Sequence, residues 1–185
     1  MEPATLDRCV DILRCPVSRQ PLSFLDAGEL ATANQRLTSG AVLHRDGTRA
    51  RTPLTRALGT ADRAQLDRVE DDIAWLLPDL ALVPAAAAQV SSVAAEKKIV
   101  QSFYDEYGWV KANDGHFNDT AQFTDVRQLT KDYQRYCNGR IAAQLSGGRF
   151  LLDVASGAIP HPEYLEFSRN YDVRICVDFS IRALR

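Results

Sequence analysis

The sequence predicts an α/β chain in two parts: a small α+β module, then the first βαβ unit of a parallel sheet. Three observations lead there. FLLDVAS and VRICVDFS are apolar, strand-like runs with the helical segment HPEYLEFSR between them. Strand, helix, strand over about 30 residues predicts parallel strands joined by a right-handed crossover. Residues 1–84 hold short strand-like runs around turns with one helix, the pattern of a small β-rich module. Between the two lies PAAAAQVSSVAAEKK, rich in Ala and Ser and without bulky residues to bury a face. Residues 85–98 are thus a linker or the solvated start of a helix, and 99–185 form the second part.

Taken in order, ATLDRCVDILRC places Leu6, Val10 and Leu13 at helical spacing. Pro16 and Pro21 in CPVSRQPLSFLDAGEL break any helix, and PLSFL predicts a short strand. Asp46-Gly47 in HRDGTRARTPL, between strand-like residues, is a hairpin signal. DDIAWLLPDLALVP reads as a strand or a short helix. In the second part a helical run carries Phe103, Tyr104, Tyr107 and Trp109, followed by the polar loop KANDGHFNDTAQ. LTKDYQRYCNGRIAAQL is a longer helix with Tyr133, Tyr136, Ile141 and Leu145 expected on its buried side, stopped by Ser146-Gly147-Gly148. IRALR is the first turn of another helix.

Composition narrows the functions. Over 185 residues, a net charge of −2 gives no long-range attraction for nucleic acid or anionic lipid. No run approaches the roughly 20 apolar residues of a membrane span, and no segment has the form of a signal peptide. Cys9, Cys15, Cys137 and Cys176 make neither a metal motif nor a disulfide framework, so a reduced, cytoplasmic protein is expected.

The chemistry concentrates where the two late strands end. Ligands of open α/β sheets bind outside the carboxyl ends of the strands. Here those ends carry Asp153-Val-Ala-Ser-Gly157 and Asp178-Phe-Ser180. Asp178 follows Gly157 by 21 residues, near the spacing between a glycine turn and a ribose-binding acid. A carboxylate there can accept both hydroxyls of a vicinal diol. Separately, a glycine after a strand is usually a turn, and Asp178 or Ser180 could cap the last helix. Their joint placement favours a nucleoside-like ligand.

LLDVASGAIPHPEYL followed by VDFSIRALR resembles the first two motifs of the class I S-adenosylmethionine-dependent methyltransferases. Asp153, Ala155, Gly157 and Ile159 lie on that family's D-x-G-x-G-x-G frame, with only the central glycine kept. FSIRALR resembles its D-x-S-x-x-A-L continuation, and FYDEYGW resembles the helix that covers its cofactor. The resemblance implies the start of a Rossmann-like sheet, incomplete here, with S-adenosylmethionine as cofactor and a small-molecule methyl acceptor. It implies Asp153, Ala155, Ser156 and Gly157 at the methionine end, Asp178 and Phe179 at the ribose, and Tyr104 or Tyr107 at the amino-acid end. Asn118 and Asp119 in FNDTAQF would border the substrate entrance or form an Asx turn, and His116 would be a base there or a surface residue. No catalytic base is named. This piece is expected to be the N-terminal part of a longer enzyme, inactive alone.

LDILRCPVSRQPL resembles the start of small zinc-ribbon-like activators of methyltransferases, L-x-x-L-x-C-P-x-C-x-x-x-L. Cys15 matches the first ligand and Ser18 replaces the second, so a degenerate module without zinc is expected; Cys15 and His44 do not make a four-ligand site. The alternative function is a non-catalytic interaction module that binds a methyltransferase or another partner. Two parallel strands leave edges unpaired, so self-association or a partner chain covering the open sheet edge is expected. A nicotinamide dinucleotide is the weaker ligand reading, because the lost glycines, Pro160 and Pro162 crowd a pyrophosphate.

Overall fold

The computed structural model describes residues 5–89, 94–113, 115–123 and 128–185. The chain divides into two units, Met1–Val93 and Ala94–Arg185, and the division falls inside the expected linker 85–98. Together they hold a mostly antiparallel sheet, a parallel pair and helices. None of the described helices is long and apolar enough to cross a membrane.

The first unit opens with α1 (Thr5–Cys9), continued by a 3-10 turn at Val10–Ile12. It buries Leu6 and Cys9, not the expected Leu6, Val10 and Leu13, because the tighter turn rotates the later residues away. β1 (Leu22–Phe24) is the strand foreseen in PLSFL. It is followed by a helix that sequence reading passed over, α2 (Ala27–Ser39). Its ends are well specified. Asp26 accepts the Glu29 N–H at 2.8 Å while the Glu29 carboxylate accepts the Asp26 N–H at 2.9 Å, and Gly40 closes the helix at φ 74°.

β2 (Val42–His44), β3 (Arg56–Thr60), β4 (Leu66–Glu70), β5 (Ile73–Ala74) and β6 (Leu82–Pro84) complete the unit. The sheet runs β1-β3-β4-β6-β2, with β5 on β4, and its pairs are antiparallel. The Asp46-Gly47 turn forms, with the Gly47 N–H donating to the His44 carbonyl at 2.9 Å. It does not make a hairpin, because β2 pairs with β6 rather than with the segment after the turn. α2 lies on a core of Ala33, Val42, Leu54, Ala57, Leu66 and Leu82.

The turn after Cys15 has its own hydrogen bonds, with the Cys15 N–H donating to the Gln20 carbonyl at 2.9 Å. Cys15 is fully buried, and its sulfur accepts the Ser18 N–H at 3.3 Å. His44 Nδ1 lies 2.7 Å from the Leu80 carbonyl oxygen. Among the described residues no group of three or more His, Cys, Asp or Glu is placed to hold a metal ion.

Asp67 on β4 is completely buried. Burial pushes its carboxyl up to about 6, against hydrogen bonding from Gln65 and the charge of Arg45. The Gln65 amide donates to both carboxylate oxygens, at 3.3 and 3.2 Å, and Arg45 donates to Gln65 Oε1 at 2.8 Å. A carboxyl raised in the fold binds its proton more tightly there than in the unfolded chain. Its ionisation therefore opposes folding fully above about pH 6, and this penalty fades as pH falls toward the ordinary value of 3.8. Thermal melts from pH 7 to 4.5 should show the first unit gaining stability, by at most a few kcal/mol from this group. Asp67→Asn should flatten that part of the profile; an unaltered slope would contradict the assignment.

In the second unit α3 (Ala94–Phe103) runs into one π turn, Tyr104–Gly108. α4 (Asn118–Phe123) and α5 (Gln128–Gln144) follow. β7 (Gly148–Val154) and β8 (Tyr171–Val177) pair in parallel, with Phe150 beside Val173 and Val154 beside Val177. Their connection is a 3-10 helix at Pro162–Ser168, and α6 (Ile181–Leu184) follows β8.

The expected buried side of α5 is not buried: Tyr133, Tyr136 and Ile141 are exposed and Leu145 half-buried. Leu152, Val154 and Val177 share one sheet face and are 61%, 68% and 45% exposed. Parallel strands normally have both faces covered. Among the described residues that face is covered at Val173 and left exposed toward its carboxyl end, at Leu152, Val154 and Val177.

Candidate functional site

Three alternate residues of the turn after β7 occupy left-handed backbone: Ala155 at φ 57°, Gly157 at 56° and Ile159 at 49°. These are the positions at which the D-x-G-x-G-x-G frame has glycine. Non-glycine residues there cost of order 1 kcal/mol each, more for the β-branched Ile159. The backbone thus holds a glycine-type path that two of its three residues, Ala155 and Ile159, disfavour.

Asp178, just beyond β8, fastens this path. Its Oδ2 accepts the Gly157 N–H at 2.8 Å and its Oδ1 accepts the Ser180 N–H at 2.8 Å. Each carboxylate oxygen has a second lone pair, so capacity for a diol remains. Ser180, not Asp178, caps α6, with its Oγ accepting the Ala183 N–H at 3.3 Å. The Ser180 hydroxyl also donates to Asp105 Oδ1. The Phe179 carbonyl accepts from the Gln101 amide at 3.3 Å, joining α3 to the acid loop.

Asp153 is committed differently. Its Oδ2 accepts from Arg174 Nε at 3.1 Å and Nη2 at 2.5 Å, while Arg174 Nη1 donates to the Tyr164 carbonyl at 2.7 Å. This largely buried arginine ties β7, β8 and their connection together. A contact from Asp153 to a cofactor amino group would compete with that ion pair. Ser156 continues the strand ladder, its N–H donating to the Val177 carbonyl at 3.2 Å, and its hydroxyl donates to the Gly157 carbonyl at 3.3 Å.

The aromatic residue against the turn is Trp109. A Cβ on Gly157 would lie 2.6 Å from Trp109 Cη2 and 2.7 Å from Cζ2. Tyr104 stacks on the other aromatic at 5.7 Å between centroids and a 22° interplanar angle. Trp109 Nε1 is buried with no acceptor among the described residues. Such an orphan costs about 1–3 kcal/mol and marks a donor beside the turn that a bound ligand can satisfy. Tyr107 donates to Gln122 Oε1 at 3.3 Å, and Asn118 donates from its side chain to the Tyr107 carbonyl at 3.1 Å. Asp119 sits in the first turn of α4, and the His116 carbonyl accepts the Ala112 N–H at 2.8 Å.

The structure therefore brings Ala155, Ser156, Gly157, Asp178 and Phe179 to one strand end, with Tyr104 behind Trp109. Sequence reading missed Trp109, Asp105 and Arg174 as parts of this site. The signal for the first two was present in FYDEYGW; nothing in VRICV distinguishes Arg174.

Comparisons with known proteins add one likeness. No family model matches the chain, and no curated protein matches it. Among solved structures, the solution NMR structure of a Xylella fastidiosa protein is similar, at 39% identity, covering 42% of this chain and 79% of that one, with a TM-score of 0.34.

Proposed function

We propose that the second unit carries the cofactor turn of a class I S-adenosylmethionine-dependent methyltransferase acting on a small molecule in the cytoplasm, and begins a Rossmann-like sheet. The observation carrying this reading is the left-handed backbone at Ala155, Gly157 and Ile159, latched by Asp178 through the Gly157 N–H. Asp178 would hold the ribose hydroxyls, and Ala155, Ser156 and Gly157 the neighbouring part of the cofactor. The residues fit at the ribose end, where Asp178 keeps acceptor capacity and Trp109 offers an unsatisfied N–H. At Gly157 the indole stands close, so a ligand must displace it or lie along its edge. Bound S-adenosylmethionine supplies an electrophilic methyl group; this chain's contribution is to bind and orient it. The first unit, on this reading, is a zinc-ribbon-like module without zinc. The four unpaired cysteines support a reducing compartment. Calorimetric titration with S-adenosylhomocysteine tests the proposal: saturable one-to-one binding is expected, and no binding by the folded chain would overturn it.

A second reading, an interaction module, is favoured by the exposed end of that sheet face at Leu152, Val154 and Val177. A contiguous exposed apolar face marks an association surface. Sedimentation velocity should then show concentration-dependent self-association that Val154→Lys abolishes. A monomer at all concentrations would contradict self-association.

A further inference from the structure

A cavity of about 700 Å³ lies within the second unit, between the end of the π turn, the Lys111–Phe117 bridge and α6. Its size suits a small ligand. Its walls are of two kinds. Trp109 and Phe117 meet edge to face, with centroids 5.6 Å apart at 85°, and make an aromatic corner. Lys111 and Arg182 supply positive charge beside the carboxylate of Asp105. This balance is opposite to the chain's net charge of −2.

The side chains of Arg182 and Lys111 are held by neutral groups. Arg182 Nε donates to the Trp109 carbonyl at 3.3 Å and Nη1 to the Asp105 carbonyl at 3.5 Å; both acceptors are neutral. Asp105 Oδ1 accepts the Ser180 hydroxyl and the Arg182 N–H, which turns the one acid toward the start of α6. Lys111 Nζ stands 5.3 Å from the Phe117 ring centroid, over the same aromatic wall. A planar guanidinium and an ammonium beside an aromatic corner match an oxyanion carried on a flat ring.

We infer that this cavity binds an aromatic oxyanion, such as a ring carboxylate, and that this is the methyl acceptor. The second half rests on the methyltransferase reading. It follows from Trp109, whose indole lines the cavity and also abuts Gly157, so that one ring separates the two sites. Methyl transfer between them requires that ring to shift: an oxygen of the oxyanion attacks the sulfonium methyl carbon, the O–CH3 bond forms as the S–CH3 bond breaks, and the thioether S-adenosylhomocysteine leaves with the electron pair.

Benzoate, benzamide and inorganic phosphate serve as probes of the full chain. The readout is Trp109 emission in a Trp75→Phe background, which leaves a single tryptophan. Benzoate should change the emission saturably, with benzamide at least about tenfold weaker because it lacks the charge. Phosphate, lacking the ring, should bind at least about tenfold more weakly than benzoate. Lys111→Gln, at an exposed position, should weaken benzoate severalfold without altering the circular dichroism spectrum. Arg182→Lys should weaken it too, by removing the fork. No saturable benzoate response, equal affinity for benzamide or phosphate, or indifference to both substitutions would overturn the proposal. A parallel titration with S-adenosylhomocysteine separates the two claims. S-adenosylhomocysteine binding without benzoate binding overturns the acceptor site alone; benzoate binding without it supports the anion site and overturns the methyltransferase reading and the acceptor role.

Discussion

Asp178→Ala is expected to weaken S-adenosylhomocysteine binding by at least about 100-fold, with circular dichroism unchanged. The carboxylate is the one group at the strand ends placed both to hold the turn and to accept a diol. Its two backbone partners, the Gly157 and Ser180 N–H groups, each lose a charge-assisted bond in the variant. Such bonds are worth about 1.5–3 kcal/mol apiece, so the turn is expected to loosen even without ligand. The loss of two ribose contacts adds at least about 2.7 kcal/mol to binding, which is the 100-fold change. Calorimetry on wild type and variant reads it directly. Equal affinities would remove Asp178 from the site.

The second large effect is structural. At Gly157, φ is 56°, where a β-branched residue is strained by about 1–3 kcal/mol. Valine there would also drive its Cβ into the six-membered ring of Trp109. Gly157→Val should therefore destabilise the second unit by about 3 kcal/mol or more and shift Trp109 emission to the red, read in Trp75→Phe. Removing the ring should relieve the steric part. Trp109→Ala combined with Gly157→Ala is expected to cost less than the sum of the two single changes, as for any pair in contact. Unchanged emission in Gly157→Val, or strict additivity, would mean that the indole does not rest on the turn.

The strand ends were the most legible part of the sequence. The runs FLLDVAS and VRICVDFS are apolar on both faces, as parallel strands are, and they do pair in parallel. The connection was foreseen as a helix and is one of the 3-10 type, with Pro160 and Pro162 at its entry. α2 escaped because LATANQRLTS has a thin apolar stripe of Leu30, Ala33 and Leu37; its evidence lay in the Asp26–Glu29 box and Gly40. α5 shows the opposite error. Its tyrosines fit a buried stripe by spacing alone, but burial depends on what packs against the helix, which periodicity does not encode. The site divides in the same way. Asp178 and Gly157 announce themselves by position, whereas the Trp109 contact and the Arg174–Asp153 pair arise from tertiary placement. The left-handed angles at Ala155 and Ile159 could be suspected only by laying the sequence on a glycine frame, because neither residue favours them.

The measurement closest to the central claim is a two-dimensional amide spectrum of the isotope-labelled chain titrated with S-adenosylhomocysteine. Saturable shifts are expected at Ala155, Ser156, Gly157 and Asp178 and at the Trp109 indole N–H, with the first unit unperturbed. Shifts confined to other residues, or none at millimolar ligand, would contradict it.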